Sequence, residues 1–133
     1  MCEKFFKVSS LDDKIVSYSH PSQSNFNNVG SKLFVSASRG DVHPIAAIEA
    51  LSFGLPVIIT KESDFPEIDT FEAGKTTESN ESSICDSIKD LLKNQDKLST
   101  YSENALRLVE EKFLLENQIE KYENMFSKAI TKK

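Results

Sequence analysis

Apolar residues follow two rhythms along this chain. Up to about residue 77 they come in short consecutive runs broken by turn-forming residues, and beyond about Asn80 they recur every three or four positions among charged ones. The runs Lys14-Ile15-Val16-Ser17-Tyr18, Lys32-Leu33-Phe34-Val35-Ser36 and Pro56-Val57-Ile58-Ile59-Thr60 read as strands. Unbroken apolar runs are what a sheet covered on both faces requires, so the sheet is expected to be parallel. Between the last two runs, Ile45 to Phe53 reads as a helix closed by Gly54 and Pro56, the usual stop signal. The unit is a strand, a loop, a helix and a second strand.

The later segments carry their apolar residues as helix faces. Ile84, Ile88, Leu91 and Leu92 share one face; Leu98, Tyr101, Ala105, Leu108 and Val109 a second; Ile119, Tyr122, Phe126, Ala129 and Ile130 a third. The expected fold class is therefore α/β, a parallel sheet followed by three C-terminal amphipathic helices. A length of 133 residues allows one domain with one core. That domain divides into a crossover part, 1–77, and a helical part, 78–133. The stretch 22–28, rich in Ser and Asn, is either a polar loop or a weak helix started by Pro21.

Charge and cysteine usage narrow the function classes. The net charge of −5 comes without a run of like charges, which argues against binding nucleic acid wholesale, so any phosphate must be recognised locally. The two cysteines, Cys2 and Cys85, are too far apart for zinc-ligand spacing or a disulfide framework, and they read as reduced thiols in a cytoplasmic protein. No run approaches the ~18 apolar residues of a membrane span, and Met1-Cys2-Glu3-Lys4 lacks the apolar stretch of a signal peptide. His20 has no companion that would make it a metal ligand, so no metal site is expected.

The chemistry centres on the predicted helix and the loop before it. The helix is apolar on nearly every side, yet it contains Glu49. A carboxylate in such surroundings needs a partner, because burying it unpaired costs several kcal/mol. It either pairs with a nearby Lys, Arg or backbone N–H, or accepts hydrogen bonds from hydroxyls of a ligand, which it can do twice at once. The preceding loop, Ser36-Ala37-Ser38-Arg39-Gly40-Asp41-Val42-His43-Pro44, runs from a strand's carboxyl end into a helix N-terminus. That is where open α/β sheets bind ligands and where a helix offers free N–H groups to an anion. Gly40 either lets the backbone approach a ligand closely or makes an ordinary turn. Arg39 either reaches a phosphate or is a solvated loop residue.

Asp41 and Glu49 have seven residues between them, and their context is Ser38-Arg39-Gly40-Asp41-Val42-His43-Pro44-Ile45-Ala46-Ala47-Ile48-Glu49-Ala50-Leu51-Ser52-Phe53-Gly54-Leu55-Pro56-Val57-Ile58. That run resembles the nucleotide-sugar signature of retaining glycosyltransferase family 4, the group 1 glycosyl transferases of the GT-B fold. There, two acids separated by seven residues lead into an E-A-x-x-x-G-x-P-V-I pattern. Ser63-Asp64-Phe65-Pro66-Glu67-Ile68 looks like that family's G-G-x-P-E-I turn, with Ser63-Asp64 in place of the glycines. Gly74 falls where the family begins its short last strand, and Glu103-Asn104-Ala105 through Glu111-Lys112-Phe113 is similar to its E-N-A…E-K-F helix.

The resemblance implies a partial Rossmann-like domain, the donor-binding C-terminal half of a GT-B enzyme. It implies that Asp41 contacts the hydroxyls of a donor sugar and Glu49 those of the nucleotide ribose, with Gly40 and the backbone N–H groups of Val42, His43 and Ile45 toward sugar and phosphates. The partner implied is a nucleotide-diphosphate sugar, with no metal or other cofactor, and transfer to a glycan or lipid-linked acceptor. His43 departs from the Phe or Gly common in the family, and Glu67 is expected to support a helix N-terminus rather than react. The chain is also expected to begin inside a helix and to lack the family's first strands, their basic pair and the acceptor domain. It would then be inactive alone and would expose a strand edge to a complementing chain or a second copy. The full enzyme is expected in the cytoplasm or at the membrane periphery. Two other readings stand beside this one. One is a non-catalytic interaction module derived from a glycosyltransferase; the other is a phosphate-binding α/β domain, which no Asp at a strand end supports.

Overall fold

The computed structural model of the chain describes residues 31–42 and 44–131. The strand expected at Lys14–Tyr18, the 22–28 segment, His20 and His43 lie outside the described residues.

Among the described residues, three parallel strands form the sheet. β1 is Phe34–Ser36, β2 Val57–Thr60 and β3 Gly74–Thr77, with β2 in the centre. The register sets Phe34 beside Val57 beside Gly74, and Ser36 beside Ile59 beside Thr76. Thr60 and Thr77 therefore lie side by side at the carboxyl edge. β1 is shorter than the apolar run predicted, since Lys32 and Leu33 stay outside the ladder. β2 loses only Pro56, which has no N–H to donate.

Helices cover both faces, as the continuous apolar runs require. α1 spans Ile45–Ser52, α2 is the short Glu67–Thr70, α3 is Glu81–Lys93, α4 is Gln95–Lys112 and α5 is Leu115–Thr131. Successive β2 side chains point to opposite faces, so Val57 and Ile59 meet Leu51, Ile68, Ala105 and Leu108 while Ile58 meets Ile84, Ile88, Leu91 and Leu98. One face is thus lined by α1, α2 and α4, and the other by α3 and the start of α4. Edge-to-face contact of Phe65 with Phe113, 5.8 Å between ring centroids, joins the loop before α2 to the end of α4.

Local chemistry explains where the elements stop. α1 ends one residue earlier than the pattern suggested: Phe53 is its C-cap and Gly54 takes the left-handed conformation at φ 70°. The Leu55 N–H donates to the Ala50 carbonyl and the Gly54 N–H to Leu51, a Schellman ending. The Ser102 hydroxyl then donates to the Gly54 carbonyl at 2.6 Å, fastening this turn to α4. At Gly74 the reason for glycine is different, because a Cβ there would lie 1.9 Å from the Val57 carbonyl oxygen. α3 and α4 are capped by Asn80 and Asn94, whose side-chain oxygens accept from the N–H groups of Ser83 and Lys97 at 2.9 and 3.0 Å.

The three C-terminal helices form as their periodicity predicts, but α5 differs in packing. None of its residues is buried, and Ile119, Tyr122, Phe126 and Ile130 are exposed. No helix among the described residues is long and apolar enough to cross a membrane.

Candidate functional site

The site predicted from sequence sits on the loop from β1 to α1 and on the first turns of α1. Of its residues, Gly40, Asp41, Val42 and Ile45 are exposed on the loop and helix start, and Glu49 is half-buried one turn further in. Val42 and Ile45 are among the most exposed apolar side chains, at 69% and 82%. Around Gly40 an added Cβ would meet nothing within 4 Å. Among the described residues, therefore, nothing packs against this position.

Helix α1 is less enclosed than its apolar sequence suggests. Ala47, Ala50 and Leu51 are buried against the sheet and α4, while Ile45, Ala46 and Ser52 face out. Glu49 lies between these two sides, and among the described residues its carboxylate has no hydrogen bond or ion pair. Its backbone carbonyl is occupied separately, by the Ser52 hydroxyl at 2.6 Å. The internal pair that would have explained a carboxylate in this helix is absent among the described residues.

The N-terminus of α1 is also unsatisfied among the described residues. Pro44 occupies the N-cap with φ −59° and ψ 121°, and no side chain caps the helix. Its carbonyl accepts from Ala47 at 2.9 Å and Ile48 at 3.2 Å, leaving the N–H groups of Ile45 and Ala46 without a partner among the described residues. Free N–H groups and the positive end of the helix dipole together suit an anion.

Two residues that the sequence reading passed over hold this loop in place. The Thr60 hydroxyl, at the carboxyl end of β2, donates to the Ser38 carbonyl, and the Ser63 hydroxyl lies 3.5 Å from Thr60 Oγ1. Both side chains are buried, at 1% and 0% exposure. The signal available in the sequence is a Thr closing an apolar strand. On the loop itself, the Gly40 N–H donates to Ser38 Oγ at 3.4 Å.

Beside this loop, the segments after β2 and β3 are joined by side chains. Lys61 pairs with Glu78, and the Ser79 hydroxyl donates to Glu62 at 2.7 Å. The Ser79 hydrogen bond holds the Glu62 carboxyl below its usual range, helped by smaller attractions from Lys61 and Arg39. The hydrogen bond and charge of Glu78 raise Lys61. Glu67 opens α2, as expected of a residue serving a helix N-terminus. Among the described residues, no three His, Cys, Asp or Glu side chains gather to hold a metal ion.

Comparison with known proteins agrees with this architecture. The model of the family "Glycosyl transferases group 1" matches residues 19–108, more than half of the chain. Among solved structures, the chain is similar to the C-terminal domain of a glycosyl transferase group 1 family protein (LpcC) from Francisella tularensis. The TM-score is 0.63 at 23% identity, over 76% of this chain and 53% of that one. The chain thus spans about half the length of that solved domain, and the likeness establishes a shared fold, that of a GT-B C-terminal Rossmann-like domain. No curated protein matches the sequence. With the family model covering both the loop and the helix of the site, this chain belongs to the glycosyl transferases group 1 family.

Proposed function

We propose that this chain forms part of the donor site of a retaining glycosyltransferase and binds a nucleotide-diphosphate sugar for transfer to a glycan or lipid-linked acceptor. The observation that carries the reading is Glu49, a half-buried carboxylate with no partner among the described residues, on the helix whose N-terminus is left uncapped. Ribose hydroxyls would donate to Glu49 and donor-sugar hydroxyls to Asp41. The diphosphate would lie against the N–H groups of Val42, His43 and Ile45, with Gly40 leaving room for it. During transfer, negative charge grows on the leaving diphosphate, and the positive end of α1 favours that charge more in the transition state than in the bound substrate. A helix end contributes about 0.3–1 kcal/mol when exposed and up to about 2 when partly buried, so further cationic groups must share the phosphate. The reading calls on no metal ion. It places the enzyme in the cytoplasm or at the membrane periphery, with the acceptor and the remaining phosphate contacts supplied by protein beyond these elements.

Titration of the 133-residue chain with UDP and GDP, followed by calorimetry or amide shifts, tests the reading. Binding is expected, and Glu49→Gln should weaken it by about 10- to 100-fold, the value of charge-assisted hydrogen bonds, with an unchanged melting temperature. Absence of binding by either nucleotide at millimolar concentration, or an unaffected Glu49→Gln variant, overturns it. Turnover of a UDP- or GDP-sugar by the chain alone is expected to be negligible.

A second reading, a non-catalytic interaction module, rests on the exposed apolar face of α5. It predicts that Asp41→Ala with Glu49→Ala leaves partner binding intact and that nucleotide has no effect.

A further inference from the structure

The loop that presents Asp41 is anchored through a polar contact at the end of β2. The Ser38 carbonyl can only accept, so the hydrogen bond between it and Thr60 Oγ1 uses the single proton of the Thr60 hydroxyl. Ser63 Oγ, 3.5 Å away, must then be the donor in its contact with Thr60. The result is a directed chain, from the Ser63 hydroxyl to the Thr60 hydroxyl to the Ser38 carbonyl, crossing from the turn after β2 to the loop after β1. The Thr60 and Ser63 side chains are almost entirely buried, where a hydroxyl that loses its partner is poorly served by water; the 3.5 Å contact is the weaker of the two. Ser38 is held at its other end as well, because its hydroxyl accepts from the Gly40 N–H. Ser63 stands at one of the two positions where the motif it resembles has glycine, and a glycine would have no hydroxyl to begin the chain.

We infer that Thr60 is a positioning residue for the donor loop, and that Ser63 reinforces it. The pair fixes the turn Ser38–Gly40 and thereby sets where Asp41 and the Val42 N–H stand relative to the N-terminus of α1. Thr60 touches no ligand in this account and acts through the Ser38 carbonyl. The functional part of the inference rests on the donor-site reading above, whereas the anchoring part does not, and the experiment separates them.

Arg39 is exposed, next to the turn that Ser38 pins, so the rate of tryptic cleavage between Arg39 and Gly40 in the native full chain reports how often the loop is released. Thr60→Val keeps the shape and removes the hydroxyl, and it should raise that rate about three- to tenfold, the range expected for one net hydrogen bond. Thr60→Ser restores the hydroxyl without the methyl group and should return the rate to that of wild type, which a packing role for Thr60 would not do. Ser63→Ala should act in the same direction with a smaller effect, and it carries the test if Thr60→Val does not fold. In parallel, Thr60→Val should weaken UDP or GDP binding by a similar factor, with Thr60→Ser restoring it. Unchanged cleavage at Arg39 in Thr60→Val, or in Ser63→Ala where only that variant folds, overturns the anchoring; so does a failure of Thr60→Ser to rescue. Altered cleavage in a chain whose wild type binds neither nucleotide upholds the anchor and removes the donor-site reading alone.

Discussion

The loops at the carboxyl end of the sheet differ in how they are held. After β2 and β3, the chain is tied to itself: Lys61 to Glu78 and Glu62 to Ser79. After β1, the loop is pinned at Ser38 and, among the described residues, has no further tie to another element, with exposed Asp41, Val42 and Ile45 and a helix start that no side chain caps. α3 and α4, by contrast, are capped by Asn80 and Asn94, whereas the four-residue α2 starts, like α1, at a proline without a side-chain cap. Polar groups satisfied from within stabilise the fold, and those with no partner among the described residues are available to something else. On the donor-site reading proposed above, the contrast separates residues that hold the domain together from residues that meet a ligand.

The glycines break or sharpen that contrast most strongly. Gly74→Ala drives a Cβ into the Val57 carbonyl, between two paired strands that cannot both give way. It should cost about 3 kcal/mol or more, or prevent folding, as read by urea denaturation. Gly40→Ala, with no neighbour within 4 Å of the added atom, should leave stability within about 0.5 kcal/mol while weakening nucleotide binding. Equal destabilisation by the two would erase the distinction between the interlocked and open loops.

Caps come next in size. Asn80→Ala and Asn94→Ala should each cost about 1 kcal/mol in chemical denaturation, because each removes the acceptor of an N–H group at the start of α3 or α4. Pro44→Ser offers α1 the side-chain cap it lacks. It should not destabilise by more than about 0.5 kcal/mol, and it should compete with an anion for the same N–H groups, visible as weaker nucleotide binding.

A smaller gain is expected at Asp64, which adopts φ 39° and ψ 60° in the turn leading to α2. This is the left-handed region, which Asp tolerates better than most residues but glycine occupies freely. Asp64→Gly should raise stability by up to about 1 kcal/mol, partly offset by the greater freedom of the unfolded chain, and thermal melting will show the sign.

The smallest effect is electrostatic. The Glu62 and Asp90 carboxyls are held below their usual range, Glu62 by Ser79 and Asp90 by Lys97. A carboxyl lowered in the folded state adds stability above its unfolded pKa, and that contribution is lost as pH falls through the folded value. The loss should therefore develop below about pH 4. Both groups are exposed, so added salt should shrink it. Glu62→Gln and Asp90→Asn should flatten the acid side of a plot of melting temperature against pH.

How much of this could be read from the sequence depends on what each residue's role requires. α3 and α4 were legible because a helix face repeats every few residues, and β2 because four successive buried residues leave a continuous apolar run. β3, Gly-Lys-Thr-Thr, carries no such signal; it is a strand because β2 offers it a ladder and Gly74 lets it come close. Family likeness, not periodicity, pointed to it. Glu49 was legible as an anomaly, a carboxylate in an apolar helix, but its half-burial was not, since that depends on which side of α1 the sheet and α4 cover. Thr60 and Ser63 were missed because a hydroxyl's partner, here a carbonyl 22 residues away, leaves no mark in local pattern.

By itself, then, the sequence determined the alternation of elements, the two-sided burial of β2, the ending of α1 at Gly54 and the position of the acidic pair. Each of these is a local consequence of side-chain polarity, backbone freedom or a motif's spacing. Only the tertiary structure decided which polar groups are satisfied. It joined Lys61 to Glu78 and Thr60 to Ser38, left Glu49 and the start of α1 unpaired among the described residues, and set the apolar face of α5 outward. The physical reason is that a hydrogen bond or a buried contact is a relation between two places in space, and chain order fixes only one of them at a time.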